Sequence, residues 1–358
     1  MPRRRRRPSA MAAALALALL FPAGAACARK PAADPACLAG VLKFEHRDAE
    51  AGPEKPWATE TASAADWELW SGTSQLATGR TDADGTFVAC GGESSYADMR
   101  LRFPSASGDL SEVVTDRTKR ARHTFDSATV TDVVGRRDVG VVEVPKKMAS
   151  AWHIIDTLGL LYAKRAGTSS CWTRQCERLT VVWGPAPSDD AGYFDQGGTD
   201  AVILAGDMPD SEHVVLHEAG HWFQWELYGH WLPEADNCQV HFVESRSSPT
   251  CAWVEGFPDA LAAYTLGDRR FVHEDGNAVA IDPDASWDTG DAVQGRVAGA
   301  LLDLWAGPDG GTWDATIALM SHERSSTFDE YFAVDRPTAD PPLSTTGEAA
   351  EVVEEWGL

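Results

Sequence analysis

Residues 213–223, HVVLHEAGHWF, set His217 and His221 four positions apart, with Glu218 directly after the first. Residues four apart on a helix lie one turn above each other and lean the same way, so both imidazoles reach one metal ion. The flanking Val214, Val215, Leu216, Ala219, Gly220, Trp222 and Phe223 are uncharged, which predicts a helix buried on most sides. Histidines buried there without a metal would need other partners. A catalytic zinc takes three protein ligands and keeps a fourth position open. The stretch therefore constrains the whole fold, which has to bring a third ligand against this helix from elsewhere.

The three-histidine pattern H-E-x-x-H-x-x-G-x-x-H is excluded, because Gln224 and Leu227 stand where it needs glycine and histidine. His230 and His241 are candidates, each in a loop-like stretch flanked by Pro or Cys. Glu255, in CAWVEGFPDALAAYTLG, is the stronger one; it follows His221 by 34 residues, and Asp259 follows it by four. Both carboxylates then share one face of a second helix. Glu255 can bind the metal while Asp259 accepts the other N–H of His217 and fixes its tautomer. Pro258 is expected in the first turn of that helix, where no backbone donor is lost. The competing reading of the segment is an ordinary amphipathic helix with a polar face. Glu218 stands where a general base is needed, beside the metal and outside its coordination shell. Tyr228, His230, His241, Tyr264, Arg296 and His322 are candidates to stabilise an oxyanion.

VVLHEAGHWF together with WVEGFPDALAAY resembles the gluzincin metallopeptidases, the thermolysin-like and aminopeptidase group, whose third ligand is a glutamate on a following helix. AGYFDQGGTDAVILAGD is similar to the edge strand and loop that precede the metal helix in thermolysin-like enzymes. The likeness covers roughly residues 190–266. It implies zinc held by His217, His221 and Glu255, Glu218 as catalytic carboxylate and Asp259 behind His217. No G-A-M-E-N segment is present, so the amino-terminal anchor of the aminopeptidases is unsupported and an endopeptidase is the expectation. The segment Thr199–Ala205, if it forms a sheet edge, could hold an extended peptide.

The chain opens on five arginines, an apolar run from Met11 to Phe21 and then small residues, the layout of a secretory signal peptide over residues 1–28. GAAC also resembles a lipobox, which would make Cys27 a lipid anchor. Of seven cysteines that leaves six, expected as disulfides Cys37–Cys90, Cys171–Cys176 and Cys238–Cys251 in an exported chain. Loss of Arg3–Arg7 takes the net charge from −23 to −28, which argues against nucleic acid and anionic membrane surfaces as partners.

Residues 29–144 read as short alternating strands, an antiparallel β-sandwich. TDADGTF within it resembles a turn of transthyretin-like or carboxypeptidase-regulatory-like modules and gives a hairpin signal at Asp84-Gly85. After Pro145 the pattern turns to long helices and buried strands, so residues 145–335 are expected to be a zincin-like catalytic domain and 336–358 a tail. Asp207 or Asp210 is the expected cap of the metal helix, with Pro209 in its first turn. The fold class is thus α+β, and the expected function is that of an exported, monomeric zinc metallopeptidase acting on peptides or proteins. The alternative is a cell-surface binding or adhesion protein with a structural or vestigial zinc site.

Overall fold

A computed structural model describes residues 34–118, 120–164, 177–184 and 192–358. The expected signal peptide, Cys27 and the Cys171–Cys176 pair lie outside the described residues.

Alternation builds the first half of the chain. On β1 (Cys37–Arg47) every second residue from Leu42 to His46 turns inward. Along one edge this strand pairs first with β5 (Thr86–Cys90), through Cys37–Val41, and then with β2 (Trp57–Thr61), through Lys43–Arg47. The Cys37–Cys90 disulfide joins two residues directly opposite each other in the second pairing. The facing sheet holds β3 (Asp66–Ser71), β4 (Ser74–Arg80), β6 (Ser95–Pro104), β9 (Thr124–Asp126) and β10 (Val130–Val134). Two expectations are corrected here. First, β11 (Arg136–Glu143) runs parallel to β1, with Cys37 opposite Arg136, so the first sheet is mixed rather than antiparallel. The chain turns at Gly135 and crosses from one sheet to the other, which brings β11 in alongside β1 in the same direction. Second, the Asp84-Gly85 turn does not close a hairpin, because β4 and β5 belong to different sheets. It carries the chain across the sandwich, with Gly85 at φ 72°.

The third sheet has the order β13-β14-β12-β8-β7, from Tyr193–Phe194, Val202–Ala205, Leu179–Gly184, Ser111–Val114 and Ala106–Ser107. It therefore draws strands from both sides of position 144. The segment around Ala205 is an inner strand; among the described residues, β13 ends the sheet on that side.

Helix α1 (Ala149–Ala163) buries Trp152, Ile155, Leu158 and Leu161, the stripe its periodicity predicts. The rings of Phe103, Phe125 and Trp152 follow one another at 5.3 Å each, so one apolar core runs from the sandwich into the helices. Residues from Pro35 to Leu358 form a single compact unit.

The metal-motif helix α2 spans Glu212–Leu227 and is capped by Ser211, whose Oγ accepts from the Val214 N–H at 3.1 Å. The expected caps do other work: Pro209 and Asp210 form a short 3-10 turn before the helix, and Asp210 pairs with Lys55 at 2.8 Å. Helix α3 spans Pro249–Leu266, capped by Ser248 with Pro249 in its first turn. Pro258 consequently sits in the helix interior rather than in the first turn. Its ring is tolerated where α2 presents Gly220, since a Cβ there would lie 2.8 Å from Pro258 Cα. A short strand pair, β15 (Arg270–Val272) with β16 (Ala278–Ala280), follows. Next come α4 (Gln294–Ala306), α5 (Asp314–Met320) and α6 (Glu348–Glu355). The expected tail is docked: Trp356 is fully buried over Gly299 of α4, and its indole N–H donates to Asp303 at 2.7 Å.

Candidate metal centre

Helical spacing on α2 and packing of α3 against it bring His217, His221 and Glu255 together, one ligand atom from each within 4.8 Å of the others. Oε2 of Glu255 lies 3.2 Å from Nε2 of both His217 and His221, and those two nitrogens are 3.1 Å apart. All three side chains are buried. His217 donates from Nδ1 to Asp259 Oδ1 at 2.7 Å, and Gln294 donates to Asp259 Oδ2 at 3.0 Å. This leaves the Nε2 lone pair of neutral His217 facing His221 and the carboxylate. Glu255 Oε2 is buried without a hydrogen bond. Converging lone pairs and a carboxylate in a buried site need a cation between them, and two imidazoles with one carboxylate is a donor set that fits zinc.

The electrostatics run the same way. Burial would lower the His217 imidazole, but with no ion between the ligands Asp259 and Glu255 hold it well above its ordinary value. Burial would likewise raise the Glu255 carboxyl, but positive charge on the imidazoles of His221, His217 and His241 outweighs it and holds that group well below the usual carboxylate range, a charge that a bound cation would supply with the rings neutral. Burial pushes the Glu218 carboxyl above its ordinary value, against the pull of His217 and His221 and with the charge of Glu255 adding to the rise. Glu218 follows His217 on α2, is 9% exposed and lines the cleft.

That cleft consists of two cavities, of about 340 and 260 Å³, and both are lined by His217, Glu218, His241 and Gly192. The larger is walled by Val214, Phe242, Phe271 and Val279, the smaller by Tyr193, Phe194, Leu232 and Val254. The cleft thus extends to either side of the ligand cluster, with β13 along one of them.

Of the six expected oxyanion donors only His241 lines the cleft. Its Nε2 is 3.2 Å from Glu255 Oε2, while its Nδ1 bonds to the Cys238 carbonyl at 2.9 Å. The Cys238–Cys251 disulfide ties this loop to the first turn of α3. Tyr228 is buried against Trp253, His230 stacks on Trp225, Tyr264 stacks on Trp313, and Arg296 donates to the carbonyls of Asp288 and Trp356. His322 lies just past α5 and does not reach the cleft lining. Gln294 has no such signal in the sequence: it opens α4 within a segment whose periodicity reads as plain core, and a lone glutamine at a helix start does not announce that it orients a carboxylate.

Residues 165–357, more than half of the chain, match the family described as Mycolysin C-terminal domain, and residues 37–151 match the Mycolysin middle domain. No curated protein matches the chain.

Proposed function

The chain belongs to the mycolysin family, which supports a zinc metallopeptidase, and from that premise we propose that it is an exported endopeptidase with a zincin-like, gluzincin-type centre. The observation that carries this reading is the convergence of His217, His221 and Glu255 beside Glu218, in a cleft open on both sides. His217, His221 and Glu255 would hold the zinc. The bound ion lowers the pKa of water and polarises the scissile carbonyl.

The chain's own residues do the rest. Asp259, held by Gln294, fixes the tautomer of His217 so that Nε2 presents its lone pair. Glu218 takes the proton of the attacking water, holds it on a carboxyl that burial has made more basic, and passes it to the leaving amine. His241 donates from Nδ1 to the Cys238 carbonyl, so its Nε2 carries a proton only in the charged ring, which the Glu255 carboxylate beside it favours; we place that Nε2–H as the donor to the oxyanion. The apolar walls on either side exclude water and seat side chains of an extended peptide, whose backbone can pair with β13, the last strand on that side of its sheet among the described residues. A cleft that continues past the centre in both directions favours cleavage within a chain over removal of a terminal residue. Among the described residues no helix is long and apolar enough to cross a membrane. Export rests on the arginine-led apolar leader, with Cys27 as a lipid anchor if it is retained.

Glu218→Gln should keep about one zinc in this centre and lose hydrolysis of an unstructured protein by about 10²-fold or more. Zinc analysis and a peptide-library assay with and without chelator read both. Unchanged turnover in the variant would overturn the mechanism. Absence of chelator-sensitive cleavage in the wild type would favour a binding or adhesion protein whose metal is structural.

A further inference from the structure

A second set of ligand atoms converges away from the cleft. His46 on β1, Glu60 on β2 and His153 on α1 each offer one atom, and these lie within 4.8 Å of one another. The inward row of β1 runs Leu42, Phe44, His46, changing from apolar to imidazole where α1 covers the sheet. Glu60 stands opposite Phe44 in the pairing with β2, and therefore on the same face as His46. His153 comes down from α1 so that the two imidazole rings meet at 3.8 Å between centroids.

Three features show that these side chains are arranged for something they do not themselves supply. His46 donates from Nδ1 to the Arg47 carbonyl at 2.9 Å, which leaves Nε2 of the neutral ring as a lone pair. That Nε2 is buried without a hydrogen bond and sits 3.5 Å from Glu60 Oε1. His153 is 1% exposed, and neither of its ring nitrogens has a hydrogen-bond partner. Buried polar atoms are nearly always satisfied, so two idle imidazoles side by side are out of line with an ordinary core. The charge balance points to a cation as well. Asp156 follows His153 on α1, and Glu212 Oε1 is 3.8 Å from His153 Nε2. Among the described residues, none of Glu60, Asp156 and Glu212 has a lysine or arginine within ion-pair distance.

We infer that His46, Glu60 and His153 form a second metal site, separate from the cleft, that takes a borderline divalent ion of the zinc type. Two imidazoles and a carboxylate without thiolates suit zinc and not the hard, all-oxygen coordination of calcium or magnesium. The 3.5 Å between His46 Nε2 and Glu60 Oε1 matches the spacing of neighbouring ligands about 2 Å from one tetrahedral ion. The imidazoles stand closer than two ligands of one ion do, so binding swings the rings apart by about 1 Å. The site joins β1 and β2 to α1, and through Glu212 it abuts the first turn of α2. Its role is to fasten the sheet to the helices, since Glu60 leaves only one side of it open to solvent.

The test is zinc stoichiometry on the full chain, after chelator treatment and reloading with zinc alone. Wild type should bind two equivalents, Glu60→Gln and His153→Leu one each, and the double variant His217→Ala/His221→Ala one. Adding Glu60→Gln to that double variant should remove the last equivalent. Glu60 is partly exposed, so its variant keeps the test alive if His153→Leu does not fold. A second readout is thermal unfolding: zinc should raise the midpoint of the double variant, and this rise should vanish with Glu60→Gln. One equivalent in wild type, lost entirely in the double variant, would overturn the second site and leave the cleft centre standing. One equivalent that survives in the double variant and disappears with Glu60→Gln would do the reverse.

Discussion

Glu226, one turn and a half beyond His221 on α2, shows how a buried charge limits stability without taking part in the centre. Its side chain is buried and neither carboxylate oxygen has a hydrogen bond. Burial, with the charge of Glu177 beside it and His230 pulling the other way, pushes its carboxyl up to about 7. A carboxyl whose folded value lies above its unfolded one stabilises the fold fully below the unfolded value, near 4.5, and loses that contribution as pH rises through about 7. Glu226→Gln should therefore match wild type at about pH 4 and be more stable at about pH 8, by on the order of 1 kcal/mol. Urea unfolding at the two pH values checks this, and equal curves at the higher pH would refute it. At this scale the sequence was informative where geometry is local. The spacing of His217 with His221, and of Glu255 with Asp259, follows from helical periodicity alone. It was silent on which of six polar residues reaches the cleft, because His241 is placed by a loop and a disulfide, neither of which leaves a periodic trace.

At the scale of elements, the centre depends on how closely α2 and α3 approach, and Gly220 against Pro258 sets that distance. A methyl group at Gly220 would lie 2.8 and 2.9 Å from Pro258 Cα and Cβ, too close to be absorbed by a rotamer change because backbone is involved. Gly220→Ala should cost about 1–3 kcal/mol through overpacking. It should also weaken zinc binding, since the same movement draws Glu255 away from His217 and His221. Denaturation and a zinc competition titration on one sample read both effects, and a variant that loses stability but keeps zinc affinity would separate the helix contact from the centre. The elements themselves were mostly legible: α1 and the strands around Val181 and Ile203 follow their apolar patterns. The helix starts were not. Ser211 and Ser248 are ordinary caps, but Asp207, Asp210 and Pro258 carry stronger textual signals, and tertiary contacts with Lys55 and Gly220 override them.

At the scale of the whole molecule, a division into a sandwich and a catalytic half describes the sequence better than it describes the packing. Strands β7 and β8 come from the first half yet complete the sheet of β12, β14 and β13. Such crossings are invisible to periodicity, which reports the strand and not its neighbour. The first half also supports the metal helix directly. Glu50 Oε1 accepts from the Glu212 N–H at 2.8 Å, placing a carboxylate at the N-terminus of α2, where the helix dipole favours it. Lys55 bonds Asp210 Oδ2 and the Glu274 carbonyl at 2.8 Å each, tying the segment before α2 to the loop between β15 and β16. A fragment of residues 145–358 would expose the β12 edge that β8 covers, open the core at Val113 and Phe103, and strip Glu50 and Lys55 from the start of α2. It should therefore fail to fold, whereas residues 35–358 should fold cooperatively. Near-ultraviolet circular dichroism and zinc content of the two fragments decide it. If 145–358 gave native-like aromatic signals and bound zinc in the cleft centre, β8 and the contacts at the start of α2 would be dispensable, and the two halves would be independent folding units.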